Sequence, residues 1–236
     1  MDSNKIYKIA VIRSQNDDSD DLLIHGIKSC DVTFYSNIKD YGNTLSDTDF
    51  VIIDTDDFSL AKKHITQIRS SSLFLLPIFT LHENLHILVD VVFNIIADNI
   101  AEFIKFTEVM ALQKDAISGL TNIRGDWRSK FLVYLYTRKG YKQLELMKNR
   151  DSKFSYYYPI LTAFDTYHDA DANLDWIAGL KEDGMLVSTQ LINAVFCCKT
   201  CKSSHILISE VCEECGSLEV EVTDFFSLLL LWKYSS

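Results

Sequence analysis

Proline, glycine-rich segments and long apolar runs are all scarce in this sequence of 236 residues. Two prolines and eight scattered glycines leave no low-complexity tract and no glycine-rich phosphate loop. No uncharged apolar run reaches the ~18 residues of a membrane span, and the start "MDSNKIYKIAVIRS" lacks a basic segment followed by a long apolar one. We therefore expect a globular cytoplasmic protein without membrane association, whose cysteines stay reduced.

Catalytic motifs are also lacking. The sequence has neither a Ser/His/Asp pattern nor an HExxH motif. Its six histidines are scattered, and the closest two, His82 and His86 in "TLHENLHIL", have no third metal ligand beside them. The chain is therefore predicted not to be an enzyme.

Charge is distributed unevenly along the chain, which carries a net charge of −10. Residues 1–104 carry 8 basic and 16 acidic side chains, and residues 154–236 carry 4 and 12, so each segment has −8. Residues 105–153 carry 11 basic and 5 acidic side chains, or +6. This basic middle is either an anion-binding patch or a surface that docks on the acidic parts of the same chain. The second interpretation is favoured, because so acidic a chain is not typical of general nucleic-acid binders.

The N-terminal half alternates apolar runs with helix-length segments. Because the runs are apolar on both faces, they predict strands of a parallel sheet that helices cover on both sides. The predicted strands are "YKIAVIR" (7–13), "VTFYS" (32–36), "DFVIIDTDD" (49–57), "LFLLPIFTL" (73–81) and "HILVDVVF" (86–93). A helix is predicted in "FSLAKKHITQIRSS", with Ser59 or Asp57 as its N-cap. Together these elements predict a small flavodoxin-like α/β fold.

Asp54 ends the third predicted strand, at the sheet edge where such folds place their chemistry. Response-regulator receiver domains have their phosphorylated aspartate at this position, so the N-terminal half resembles a receiver domain. Receivers also have two acidic residues directly after the first strand, which hold Mg²⁺. Here Arg13 and Ser14 occupy those places, and Asp17 and Asp18 follow too late. A carboxylate with no metal or cation beside it is a poor phosphoryl acceptor, so the resemblance is to a degenerate receiver. The alternative is that the acids at this strand end serve as turn and helix-capping residues.

The domain boundary is predicted after a long helix. Apolar residues recur at spacings of three and four from Asn94 to Ile117, which predicts a helix of about 20 residues. "SGLTNIRGD" then interrupts the pattern with two glycines. We therefore predict an α/β domain with a linker helix over residues 1–117, and an α+β domain over residues 118–236.

Five of the six cysteines lie within 19 residues near the C-terminus. They include two C-x₂-C pairs separated by ten residues, namely Cys198 with Cys201 and Cys212 with Cys215. Each pair can form a tight turn that points both sulfurs inward, and two such turns at the ends of a hairpin complete a tetrahedral S₄ site. The pattern predicts one structural Zn²⁺ in a zinc ribbon over residues 196–224, with no open position for water and hence no catalytic role. Disulfides and free buried cysteines are the alternatives.

The remaining candidates around this motif are predicted to be structural. In an extended segment the Cys197 side chain points away from that of Cys198, so Cys197 is predicted to be a core residue, the alternative being that it replaces Cys198 as ligand. His205 is predicted to lie on the surface of the hairpin "HILISEV". Gly216 suits the backbone turn after the second pair. Cys30 is predicted to be a small buried hydrophobe.

Several segments of the second half follow one another in an order that is typical of a known family. They are "FLVYLYTRKGYKQLEL", "YYYPIL", "LDWIAGLKEDGMLV" and the paired cysteine motifs. From about residue 127 to residue 224 the chain resembles the thaumarchaeal output domain family, which forms the C-terminal part of bacterial and archaeal signalling proteins. The resemblance implies a zinc-containing output module attached to a receiver-like or other signalling domain. Family members continue with a His- and Cys-containing segment, whereas here the apolar "VTDFFSLLLLWKYSS" follows and predicts a buried strand.

These observations support two main functional hypotheses. The first is a non-enzymatic signalling or output protein that binds structural zinc and contacts protein partners in a signalling pathway. The second is a nucleic-acid-binding regulator that uses the basic segment 124–153. The acidity of the ribbon counts against the second, because residues 196–224 carry two lysines and six acidic residues. An enzyme that accepts a phosphoryl group on Asp54 ranks third.

Overall fold

The protein consists of two compact units, residues 1–141 and residues 142–236. Its computed structural model describes residues 6–13, 30–36, 38–92, 96–117, 126–140, 142–165, 169–205, 212, 214–215 and 220–230. The predicted domain boundary between residues 117 and 118 stays a prediction. In the described part of the chain, no helix combines the length and the apolar character that crossing a membrane requires.

A five-stranded parallel sheet forms the centre of the first unit. Its strands are β1 (Tyr7–Arg13), β2 (Cys30–Tyr35), β3 (Phe50–Asp54), β4 (Ile78–Thr80) and β5 (Val91–Val92). They lie in the order β2-β1-β3-β4-β5, and every neighbouring pair is parallel. This is the flavodoxin-like strand order, so the predicted α/β fold class is confirmed.

The two central strands of this sheet carry its core. Ile9 and Val11 of β1 stand in register with Phe50 and Ile52 of β3, and all four side chains are buried. The Phe50 ring meets the ring of Phe79 from β4 edge to face, with 5.4 Å between the ring centroids. Burial on both faces explains why these strands are continuous apolar runs in the sequence.

Helices of the first unit are α1 (Tyr41–Thr44), α2 (Phe58–Ser70), α3 (Ile96–Asp115) and α4 (Trp127–Thr137), with a 3₁₀ turn at Glu83–Leu85. The cap of α2 is Asp57, whose Oδ1 accepts hydrogen bonds from the backbone N–H groups of Ser59 at 2.8 Å and Leu60 at 3.0 Å. This confirms one of the two predicted caps. The 20 residues of α3 confirm the predicted long helix.

Strands β4 and β5 are shorter than the apolar runs predicted. The run 73–81 contains a strand only at Ile78–Thr80, because backbone carbonyls before it accept hydrogen bonds from buried guanidinium groups. Arg69 Nη1 donates to the carbonyl oxygens of Phe74 and Leu76, at 2.8 and 2.7 Å. In the run 86–93, helical turns extend as far as the hydrogen bond from Val89 N to Leu85 O at 3.3 Å, and of the described residues 86–92 only Val91–Val92 is a strand.

Buried Asp90, just before β5, connects several elements of the first unit. Its carboxylate accepts hydrogen bonds from Arg69 Nη2 at 3.0 Å, Arg138 Nε at 3.0 Å, the Tyr134 hydroxyl at 2.8 Å and the Ile78 N–H at 2.7 Å. Burial by itself would raise the pKa of Asp90, but the guanidinium groups of Arg138 and Arg69 outweigh it and hold that pKa well below its ordinary value. Asp90 is therefore a carboxylate in the folded protein.

The second unit is α+β, as predicted. Its elements are β6 (Gln143–Leu144), β7 (Met147–Lys148), β8 (Tyr156–Tyr157), α5 (Pro159–Phe164), α6 (Ala170–Glu182), β9 (Leu186–Cys198) and β10 (Val220–Leu230). Strands β6, β10 and β9 form an antiparallel sheet with β10 in the middle, and β7 pairs with β8. The apolar segment near the C-terminus is thus a strand as far as Leu230, and its side chains lie outside the described residues.

Helix α6 begins at a different cap from the one that the sequence suggests. Asp171 is a plausible N-cap by its position, but the N-cap is Asp169, whose Oδ1 accepts from Ala172 N at 2.9 Å. The Asp171 carboxylate instead accepts from Ser152 Oγ at 3.1 Å and Lys153 N at 3.2 Å. After the helix, Gly184 has φ +71°, the left-handed conformation in which glycine commonly ends a helix.

Candidate metal centre

The end of β9 brings the first cysteine pair into a tight turn. β9 ends at Cys198, whose N–H donates to the carbonyl of Ser203 at 2.8 Å, while the N–H of Lys202 donates to the carbonyl of Cys198 at 2.8 Å. These two bonds fold residues 198–203 back on themselves. The turn places the side chains of Cys198 and Cys201 on the same side, as a C-x₂-C metal knuckle requires.

Four thiols converge at this turn. The Sγ atoms of Cys198 and Cys215 are 3.1 Å apart, and those of Cys201 and Cys212 are 3.4 Å apart. All four sulfurs lie within 4.8 Å of one another, and they form the single group of possible metal ligands among the described residues. A disulfide bond is about 2.05 Å long, so neither of the two close pairs is bonded.

The sulfur positions suit a tetrahedral metal ion. Zn–S bonds of about 2.3 Å in a tetrahedron put neighbouring sulfurs about 3.8 Å apart. The two close contacts, at 3.1 and 3.4 Å, lie below this value, and the 4.8 Å limit of the group lies above it. Small movements of the four sulfur atoms would therefore bring the distances between them to the tetrahedral value. Four thiolates complete a tetrahedron, so this donor set leaves no open position for water and suits a structural ion.

Backbone N–H groups favour the thiolate form at one end of the cluster. The N–H of Cys201, together with the Cys215 thiol and the N–H of Thr200, lowers the pKa of Cys198 to about 6. At Cys201 the N–H of Ser203 acts in the same direction, but burial and the Cys212 thiol outweigh it and raise the pKa. The cluster therefore contains a ready thiolate next to a thiol, which is the starting point for metal binding with proton release.

Lys202, directly after the first pair, has a left-handed backbone with φ 60°. This conformation costs a residue with a Cβ roughly 1–2 kcal/mol, and glycine adopts it freely. The chain has glycine at the matching place after the second pair, Gly216, which lies outside the described residues. The turn of the first cysteine pair therefore contains a strained residue, and residues with strained backbones are common at functional sites.

The other candidate residues lie outside the cluster. Cys197 is buried and is not one of the four grouped sulfurs, in agreement with its predicted core role. The His205 ring is half-buried, and its Nε2 donates to the Ser152 carbonyl at 2.9 Å instead of facing the thiols. Cys30, in the first unit, is only half-buried and packs against the core of the sheet, so it is more exposed than predicted.

A serine-rich contact holds the knuckle to the rest of the second unit, and sequence patterns did not reveal it. The Ser204 N–H donates to the Lys153 carbonyl at 2.8 Å, and the Ser204 and Ser155 hydroxyls are 2.8 Å apart. Ser152 and Lys153 in turn bind the Asp171 carboxylate at the start of α6. No local spacing links these residues, because the paired segments lie about fifty positions apart.

The carboxyl ends of the parallel strands form the other predicted site. Asp54 has the Arg13 guanidinium and the His82 ring beside it, which the sequence did not lead us to expect. Arg13 Nη2 lies 3.6 Å from Asp54 Oδ2, and His82 Nε2 lies 3.4 Å from Asp54 Oδ1. Arg13 comes from the end of β1, and the parallel pairing of β1 with β3 brings its guanidinium beside Asp54. Asp17 and Asp18 lie outside the described residues.

The basic segment 124–153 is only partly available for binding. Arg138 and Lys142 are both buried, and Arg138 is bound to Asp90 within the first unit. Lys130 Nζ donates to the Ser70 carbonyl at 3.3 Å. Lys148 and Arg150 are exposed, and Arg124 lies outside the described residues. Among the described residues of this segment, the positive charge is therefore partly buried and partly exposed.

Comparison with known proteins supports the resemblance of the second half. A family model described as thaumarchaeal output domain 1 matches residues 120–229. The match includes the predicted region of resemblance and all four clustered cysteines. The search of curated proteins and the search of solved structures found no match. The chain is thus similar to this output family over slightly less than half of its length.

Proposed function

We propose that the protein is a non-enzymatic, cytoplasmic signalling output protein in which Cys198, Cys201, Cys212 and Cys215 hold one structural Zn²⁺. The observation that carries this proposal is the convergence of four thiols within 4.8 Å, inside the segment that an output-domain family model matches. Zinc is the ion proposed because a closed tetrahedral set of four thiolates suits Zn²⁺ or iron, and zinc needs no redox control.

The metal would stabilise the end of the β9–β10 ribbon. Cys198 stands opposite Val220 at the end of the β9–β10 ladder, and the other three cysteines lie between these two residues in the sequence. A metal that joins both pairs would close this end, as a disulfide would in an oxidising compartment. Its binding free energy would then contribute directly to folding of the second unit.

Signalling through protein contacts is the role that fits the remaining features. The strand order of the first unit is flavodoxin-like, an order that receiver domains share, and the Arg13 guanidinium lies beside Asp54. Such a domain can bind a partner without phosphoryl chemistry. The proposed zinc ribbon would present its short turns rigidly to a protein partner.

Metal analysis tests the zinc proposal directly. Protein purified under reducing conditions without chelator should contain one zinc per chain by plasma mass spectrometry. Cys212→Ser should lose the metal together with soluble yield, because three thiolates leave an incomplete site. The matched control is Cys197→Ser, which alters a buried cysteine next to the cluster and should keep one zinc. Well-folded wild-type protein without metal would refute the proposal, and iron instead of zinc would correct the ion.

The partner class needs a separate experiment. The tagged full chain would be used to capture partners from lysate of its source cells, with and without nuclease. We expect to capture proteins that stay bound to the tagged chain after nuclease treatment and in a salt wash. Capture that nuclease removes, with binding to DNA or RNA that falls steeply as salt rises, would instead favour the nucleic-acid-binding regulator.

A further inference from the structure

We propose that strand β9 is a self-association surface, through which two copies of this chain pack antiparallel about a two-fold axis. The proposal does not depend on the metal or on the signalling role. It follows from three properties of β9: its exposed apolar side chains, its position in the sheet and its lack of charge.

Exposed apolar side chains are concentrated on β9. In the described part of the chain seven large hydrophobic residues are exposed, and three of them, Leu191, Ile192 and Phe196, lie within six positions on this strand. Their side chains are 53, 44 and 63% exposed. Single exposed apolar residues are ordinary on protein surfaces, but a local group of three indicates an interaction site.

β9 is also an edge strand of the sheet formed by the described residues, in which the order is β6-β10-β9. Natural edge strands are usually protected by lysine, proline, bulges or short length. Leu186–Cys198 is 13 residues long and contains no charged residue and no proline. Two shifts in the register with β10, at Thr189 and Ile192, bend the strand but leave its apolar side chains exposed.

The charge distribution of the chain permits a second copy as the occupant only at a neutral surface such as β9. Two chains of net charge −10 repel each other over most of their surfaces. β9 is a neutral stretch of 13 residues on which two copies can approach without placing like charges together. A strongly charged partner would find no counter-charge on this strand.

The spacing of the exposed residues is self-complementary. Because Ile192 is the extra residue of a bulge, Leu191 and Phe196 stand opposite positions 226 and 222 of β10, four apart, and so lie on the same face of β9. In an antiparallel arrangement with the two-fold axis at residue 194, position 196 of one copy lies opposite position 191 of the other, and Phe196 packs on Leu191 twice, once on each side of the axis. Aromatic–aliphatic pairs across strands are among the favourable ones. The contact ends before Cys197, which is buried. A contact made by one strand from each copy is small, and small interfaces are at the weak end of specific protein contacts. The dimer should therefore dissociate on dilution.

Sedimentation of the full chain over a wide range of concentrations tests the proposal. We expect a monomer at low concentration and a dimer at high concentration. The dimer should strengthen as salt rises, because salt screens the repulsion between two acidic copies. Leu191→Lys and Phe196→Lys should each raise the dissociation constant at least about tenfold, since each removes a repeated contact and would bury a charge.

The matched control is Leu112→Lys on α3, which changes a 70% exposed leucine in the other unit and should leave the dimer unchanged. Circular dichroism and metal content would establish that each variant is folded. A wild-type protein that stays monomeric at every concentration would overturn the proposal, and β9 would then be left for a different partner. A dimer that both β9 variants retain, or that Leu112→Lys weakens equally, would also overturn it.

Discussion

Arg138 donates a hydrogen bond from Nε to Asp90 Oδ1 at 3.0 Å, with both side chains buried. Arg138 directly follows α4, which lies inside the segment 120–229 matched by the output family model. Asp90 precedes β5 of the parallel sheet. The start of the matched segment is thus bound to the sheet within one compact unit, and a buried ion pair is the contact.

Arg138→Met tests the strength of this contact. The change leaves Asp90 with one guanidinium partner instead of two in a buried place, and removal of one partner from a buried pair typically costs about 3–5 kcal/mol. We expect a loss of unfolding free energy near the lower end, because Arg69 still binds Asp90. Urea denaturation would measure it. The control is Arg150→Met, an exposed arginine whose loss should change stability by less than about 0.5 kcal/mol. Equal stability of both variants would contradict the prediction.

Tyr7 gives a prediction at alkaline pH. Its hydroxyl donates to Glu108 Oε1 at 2.6 Å, and burial, together with this carboxylate, raises the pKa of Tyr7 to about 12. A phenol with a raised pKa stabilises the fold fully below the unfolded pKa of about 10, and that contribution is lost as pH rises through the folded pKa. Wild-type protein should therefore lose stability, relative to Tyr7→Phe, between about pH 10 and pH 12.

The measurement for Tyr7 is paired thermal melts of wild type and Tyr7→Phe at neutral and alkaline pH. At neutral pH the variant should be less stable by about 1 kcal/mol, the net value of one hydrogen bond. This difference in stability between wild type and Tyr7→Phe should become smaller as pH rises. A difference that stays constant across this pH range would show that the hydroxyl does not titrate as expected.

The central strands and the cysteine pairs could be predicted because a short stretch of sequence is enough to specify each of them. β1 and β3 are continuous apolar runs, and the two C-x₂-C pairs specify their own turns. β4 was predicted too long because Arg69 and Asp90 bind backbone groups at and just before its start, and β5 because helical turns extend to Val89. Such bonds join residues that are distant in sequence, so an apolar run gives no sign of them.

Competing local signals explain the other differences. Asp169 and Asp171 both satisfy the rule for an N-cap, and the choice depends on Ser152, which binds Asp171 from a separate segment. The cation beside Asp54 was missed for a related reason. Arg13 was recognised as a departure from the receiver pattern, but its contact with Asp54 depends on the parallel pairing of β1 with β3.

Asp54 is expected not to accept a phosphoryl group. The Arg13 guanidinium, 3.6 Å away, offsets the negative charge of Asp54 but cannot replace Mg²⁺ as a ligand for the phosphoryl group, and its positive charge repels that ion. Incubation with acetyl phosphate and Mg²⁺, followed by intact mass measurement, should show no covalent phosphate. Arg13→Asp should raise Mg²⁺ affinity at least about tenfold, because it replaces a cation with a ligand. A phosphate adduct that is present in wild type and absent in Asp54→Asn would contradict the prediction.

Lys202→Gly should stabilise the second unit. Lys202 has φ 60°, a conformation that costs a residue with a Cβ about 1 kcal/mol and that glycine adopts without strain. Part of the gain is offset because glycine has a more flexible unfolded state, so a net gain of about 0.5–1 kcal/mol is expected. The control is Lys199→Gly, an exposed position in the same turn whose φ is not positive, which should destabilise the protein slightly. Urea denaturation of metal-loaded protein would compare the two variants. If Lys202→Gly were no more stable than Lys199→Gly, the left-handed turn after the first cysteine pair would not be a source of strain.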